Sequence, residues 1–183
     1  MAELSADHGR QIFADSMHEA VDELNGGEGQ HNMCGFFSLA GALVFGRMFA
    51  RTLHPVVGTL LLRNVDGDTE SLGIGPLVND GEQFFHMWLY DPEEGTYLDL
   101  TSPYYATWFH RDGMEWRNDQ PQSFLYCAED DFPNYVRLIP SHDAAFQQQT
   151  FALFADRNEE DVVRAIATLA HSKAIEKRAV APW

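Results

Sequence analysis

Apolar positions in this chain recur first at helical intervals, then in strand-like runs, then at helical intervals again. Positions 5–24 read as a helix, with Ser5 as N-cap, a stripe of Ile12, Phe13, Met17, Ala20, Val21 and Leu24, and Asn25-Gly26-Gly27 as its end. A loop over 28–32 leads into a second helix that begins at or just before Cys34. It is apolar at 36, 37, 39, 40, 43, 44, 48 and 49, and is expected to stop near Thr52 because Pro55 bars helix at His54. Strands are expected at 56–63 and, more weakly, at 70–74, with turn chemistry at Asp66-Gly67-Asp68 between them. A loop over 75–81 precedes a strand at 83–91, a turn at 91–95 and a partner strand at 96–101. The aromatic stretch 104–109 fits a short helix or a strand, and 111–122 is polar and turn-rich. Strands at 123–127 and 135–139 follow. A helix then runs from Ser141-His142-Asp143 through Phe146, Phe151 and Phe154. The last helix has Asn158 as cap, Glu159-Glu160-Asp161 at its positive end, and Val162, Val163, Ile166 and Leu169 inward; the basic tail 173–183 is expected to fray. Helices, then an antiparallel sheet, then helices make an α+β pattern, and no repeat or linker divides positions 1–183, so one domain is expected.

Composition narrows the function classes. A chain 45% hydrophobic and 13% aromatic has the material for a packed core. With 28 acidic against 12 basic side chains, the net charge of -16 argues against nucleic acid and anionic membrane surfaces as partners. A protein or peptide partner is compatible with it; oligomeric state is not legible. Cys34 and Cys127 lie far apart and are read as free thiols of a reducing compartment. The first residues lack a basic and apolar leader, and no apolar run has membrane-spanning length. A cytoplasmic protein is expected, with signal-less export to a target cell as the other route.

The candidate chemistry centres on Cys34. A thiol at a helix start lies on the positive end of the dipole, which favours thiolate. Such a nucleophile needs a base, and the base needs a group to orient it. His86 and Asp99 supply this pair from the two strands joined at 91–95. Symmetric closure of the turn gives paired positions summing to about 186, which sets His86 opposite position 100 with Asp99 as a near neighbour. His86, Trp88 and Tyr90 share one strand face, and Phe85, Met87 and Leu89 the other. If the His86 face packs on the Cys34 helix, imidazole and thiol meet. The close-spaced ligand pairs of a zinc site, a Gly-rich phosphate loop and a serine elbow are all missing from the pattern.

A cysteine opening a buried helix, then Phe85-His86-Met87-Trp88-Leu89-Tyr90, then Tyr97-Leu98-Asp99-Leu100-Thr101, resembles the transglutaminase-like branch of the papain-like cysteine enzymes over positions 28–103. The resemblance implies a papain-like, transglutaminase-like fold with Cys34 as nucleophile, His86 as general base and acid, and Asp99 as the orienting residue. It implies a thioester intermediate and no cofactor or metal. The activity expected is amide hydrolysis or acyl transfer on a protein glutamine side chain or a peptide bond: deamidase, transglutaminase or protease, in an effector among other settings. Papain-like enzymes often place a glutamine just before the nucleophile as oxyanion donor; Gln30 is four positions before Cys34 and Asn32 two. Trp88, Tyr104 and Trp108 are candidates for a substrate cleft, against a packing role. His31 is read as a loop histidine, His54 as a helix-end marker and Cys127 as core. The competing reading makes Cys34 a small buried hydrophobe. The chain is then a non-catalytic acidic module, inhibitor or immunity-like, for a basic partner.

Overall fold

The computed structural model describes residues 6–26, 33–72, 85–111, 115–116 and 123–180. The architecture is α+β: a curled antiparallel sheet with helices at both ends of the chain. Helix α1 (Ala6–Asn25) buries Ile12, Phe13, Met17, Ala20 and Val21 at the expected spacing; Leu24 is exposed, and Gly26 at positive φ closes the helix. Ser5 and positions 28–32 lie outside the described residues.

Helix α2 (Cys34–Phe49) is apolar on most of its surface because it is packed between the other helices and the sheet. Its end differs from expectation. Ala50 adopts the left-handed conformation (φ 54) and its N–H returns to the Gly46 carbonyl, stopping the helix at Phe49 instead of near Thr52. Pro55 is not the terminator: it lies inside β1 (His54–Arg63), paired with Leu89. The Val57 carbonyl accepts from Ser141 N–H, so odd positions of β1 aim their backbone groups at a strand that ends there, and the N–H missing at Pro55 is not needed. His54 accordingly opens a strand.

Strand β1 organises the sheet. It pairs with β2 (Thr69–Leu72) over Leu60–Arg63, with β3 (His86–Asp91) over His54–Gly58 and with β6 (Val136–Pro140) over Gly58–Leu62. Beyond β3 come β4 (Thr96–Asp99) and β5 (Leu125–Ala128). Gly58 sits where a Cβ would overlap the Ile139 carbonyl and reach 2.7 Å from the Trp88 ring, so only glycine fits this crossing. The ambiguous aromatic stretch forms a 3-10 turn (Ser102–Tyr104) and then α3 (Tyr105–Arg111).

The sheet faces divide the core. Leu89, Leu98 and Leu100 meet α1, α2 and the last helix, α5 (Arg157–Val180), while Leu60, Leu62, Trp88, Tyr105, Trp108 and Leu125 pack together on the other face. Gly41 lets α2 close on the sheet: a Cβ there would come 3.0 Å from Leu100 and 3.2 Å from Leu89. Helix α4 (Ala144–Leu153) is capped by Asp143, which accepts from Ala145 N–H at 2.9 Å and Phe146 N–H at 3.0 Å. In α5 the cap belongs to Asp156, which accepts from Asn158 N–H at 2.9 Å; Asn158 is already inside the first turn, and Val162 is exposed. The tail does not fray before Val180. Ala174 is buried, and Lys173–Glu23 (2.9 Å) and Lys177–Glu19 (2.6 Å) tie it to α1. No described helix is long and apolar enough to cross a membrane.

Candidate active site

Asp99 ends β4, and its side chain makes the ending. Its Oδ1 accepts from Thr101 N–H at 2.8 Å and from Thr101 Oγ1 at 2.6 Å, an Asx-type turn that hands the chain to the 3-10 turn containing Pro103. Its Oδ2 accepts from His86 Nε2 at 2.6 Å and from the Tyr105 hydroxyl at 2.7 Å. Both carboxylate oxygens are thus doubly occupied at 1% exposure, and His86 is 2% exposed. Burial would push the Asp99 carboxyl upward; the charge and hydrogen bond of His86, with the Thr101 bonds, hold it below the ordinary carboxylate range.

The turn at 91–95 sets the geometry. Leu89 pairs with Leu98 and Tyr90 with Tyr97, so paired positions sum to 187, one more than symmetric closure implies. Gly95 at positive φ and Asp91, which accepts from Glu93 and Glu94 N–H, shape this closure. The difference decides the site. Continued inward, a sum of 187 puts Asp99 opposite Trp88, on the same face as His86 and diagonal to it; 186 would have turned its side chain to the other face.

Cys34 is the first residue of α2 and 6% exposed. Met33 offers no side-chain cap, so the helix start is not closed off by its preceding residue. The thiol donates to the Phe85 carbonyl at 3.8 Å. It does not meet His86 through face packing, as the strand pattern implies. The α2-facing side of β3 is the Met87–Leu89 side, and His86 stacks on Trp88 on the other. Cys34 lies at the helix tip, and the carbonyl its thiol bonds belongs to Phe85, the residue just before His86. Burial lowers the His86 basicity; the Asp99 charge and hydrogen bond, then a hydrogen bond and charge from Cys34, outweigh it and raise the pKa to about 10. With Nε2 on Asp99, Nδ1 is the ring nitrogen that the carboxylate does not engage.

The remaining candidates distribute differently. Trp88 and Trp108 are buried and wall the imidazole, stacked at 5.7 Å and edge-on at 5.6 Å between ring centroids, so they pack around His86. Tyr104 is half-buried, its hydroxyl 3.3 Å from Nδ1 of His18 on α1. Gln30, His31 and Asn32 lie outside the described residues. Cys127 is a half-buried free thiol on β5, pushed up to about 11 by desolvation and Asp131. Two contributors have no role assigned from the sequence. Thr101 was visible as an Asp-x-Thr turn signal, but the Tyr105 hydroxyl, six positions from Asp99 and across a helix start, carries no local sign. Among the described residues no cluster of three or more His, Cys, Asp or Glu is arranged to hold a metal ion.

No curated protein matches this sequence. A solved structure described as "The crystal structure of genomics APC5867" is similar in fold, with a TM-score of 0.56 and 13% identity, covering 92% of this chain and 79% of its own. Residues 16–168 match the family described as "Protein of unknown function (DUF2026)", a span that contains Cys34, His86 and Asp99, and the chain belongs to that family.

Proposed function

We propose that this protein is a thiol enzyme of papain-like, transglutaminase-like type, cleaving or transferring an acyl group held as an amide. The observation that carries the reading is the buried 2.6 Å His86–Asp99 contact, with Cys34 at a helix start and its thiol on the carbonyl of Phe85, the residue before His86. A charged imidazolium beside a thiol at the positive end of a helix favours thiolate, which is the nucleophilic form. In the reaction Cys34 Sγ attacks the carbonyl carbon. His86 then delivers its proton to the leaving nitrogen as the C–N bond breaks, leaving a thioester and a free amine. Water or a second amine attacks the thioester and gives its proton to His86, and the C–S bond breaks to return the thiolate. The Cys34 N–H is a donor for the oxyanion, with Gln30 or Asn32 as its companion. Substrates are protein glutamine side chains or peptide bonds.

The test is iodoacetamide labelling of Cys34 and Cys127 across pH, read by peptide mass spectrometry, in the natural protein and His86→Ala. Fast Cys34 labelling persisting below pH 7 and lost in His86→Ala supports the reading. Labelling of Cys34 no faster than Cys127 refutes it and favours the non-catalytic acidic module, to which the burial of Cys34 is the observation that points.

A further inference from the structure

The candidate nucleophile is roofed by phenylalanine. Cys34 is buried with Val57, Met87 and Phe146, and Phe85, Phe151 and Phe154 pack against that cluster. Phe154 makes the closest approach. It is the C-cap residue of α4, and its ring lies against the backbone of Gly35, next to Cys34, so closely that a Cβ on Gly35 would collide with the ring tip. The ring is also edge-on to Phe36 at 5.2 Å and to Phe85 at 6.1 Å between centroids, and the Phe85 carbonyl is the acceptor for the Cys34 thiol. Gly35 therefore does more than permit a helix turn: it opens a slot beside the thiol that an aromatic ring of the same chain fills.

The element carrying that ring is lightly held. Only Phe146 and Thr150 of α4 are buried, and Leu153 is exposed. The chain on either side is short and irregular, from Pro140 to the Asp143 cap and from Phe154 to Arg157. Rotating the Phe154 side chain, or lifting the end of α4, costs few buried contacts compared with moving any sheet strand. The vacated slot has aromatic walls and lies against Gly35, the residue after Cys34.

We infer that the slot filled by Phe154 is the seat for the substrate's acyl side chain, that its ligand class is an aromatic or large aliphatic group, and that Phe154 is the specificity-determining residue displaced when substrate binds. This rests on Cys34 being the nucleophile and extends that reading to what flanks the scissile carbonyl. Apolar slots left by truncating a large side chain take up small aromatic molecules, which supplies the probe.

Two alkylating agents are compared on the intact protein at one alkaline pH, chloroacetamide and N-benzylchloroacetamide. Cys34 and Cys127 are quantified separately in the natural protein, Phe154→Ala, Phe154→Leu and Leu153→Ala. The expected result is that Phe154→Ala raises the benzyl-to-small rate ratio at Cys34 tenfold or more, Phe154→Leu raises it less, and Leu153→Ala and the Cys127 ratio do not change. A Cys34 ratio unchanged in both Phe154 variants overturns the proposal, and Phe154→Leu alone carries the test if the alanine variant does not fold. Because both reagents react with the same thiolate, their ratio is independent of activation. Loss of His86-dependent labelling at pH 6 sinks the enzyme reading, whereas an unchanged ratio with that dependence intact sinks only the acyl seat.

Discussion

Replacing Asp99 by asparagine keeps the shape of the side chain and breaks its logic. The carboxylate accepts four hydrogen bonds, two from Thr101 on one oxygen and one each from His86 and Tyr105 on the other. An amide has one accepting oxygen. With that oxygen on the Thr101 side, the new NH2 faces the Tyr105 hydroxyl and His86 Nε2; flipped, it faces the Thr101 N–H. The first arrangement is tolerable only if His86 moves its proton to Nδ1, so that Nε2 accepts. That tautomer presents a donor to Cys34 and removes its base. The charge effect has the same direction. Asp99 is the main influence raising His86 to about 10 against burial, so its loss lowers the ring's pKa and its imidazolium fraction at neutral pH. Alkylation of Cys34 at pH 6 should then drop about tenfold or more, toward the rate of His86→Ala. Stability falls by roughly 3–5 kcal/mol, the cost of removing one member of a buried pair, within reach of a domain stable by about 5–15 kcal/mol. Imidazole nitrogen NMR reads the His86 titration, peptide mass spectrometry the alkylation, and urea unfolding the stability. If His86 in the natural protein titrates at or below 6.5, or if Asp99→Asn labels at pH 6 at the natural rate, the reasoning is refuted.

Stability should also depend on pH through this pair. The His86 contribution, from a pKa raised in the folded state, is complete below 6.5 and is lost as pH rises through about 10. The Asp99 contribution, from a lowered pKa, is present above the ordinary carboxylate range and is lost as pH falls through the depressed folded value. Thermal melts of the natural protein against His86→Gln should therefore converge at both ends and differ most between about pH 5 and 8; a constant difference across pH contradicts the pairing. Gly58→Ala forces a Cβ against the Ile139 carbonyl and the Trp88 ring and should cost about 2–4 kcal/mol in urea unfolding, where a loss under about 0.5 kcal/mol would show that the β1–β6 crossing relaxes. Arg51→Ala leaves the buried Asp91 carboxylate without its guanidinium and should lower stability by about 2–3 kcal/mol in the same assay, whereas Lys177→Ala, at an exposed pair, should change it by less than about 1 kcal/mol.

The elements and their order were legible because local forces write them. The stripe of α1, the apolar body of α2, and the β3 and β4 strands around Asp91–Gly95 all follow from side-chain period and turn chemistry, and so does the choice of Cys34, His86 and Asp99 as candidates. What local pattern does not carry is relative position. The one-residue register that sets Asp99 on the His86 face comes from how the 91–95 turn closes, and the halt of α2 at Phe49 from the conformation of Ala50. The order of α5 beyond Lys173 comes from burial of Ala174 and from ion pairs with residues of α1 that are 150 and 158 positions away. Trp88 and Trp108 read equally as cleft or core until the sheet curls and closes them around the imidazole. Tyr105 on Asp99 and Phe154 over Gly35 are contacts between elements whose sequences say nothing of each other. The sequence by itself determined the candidate residues and the elements on which they ride, since period, turn and helix-end effects act over a few residues. The tertiary structure alone decided which of them meet, because register, curl and helix seating are set by packing between distant parts of the chain.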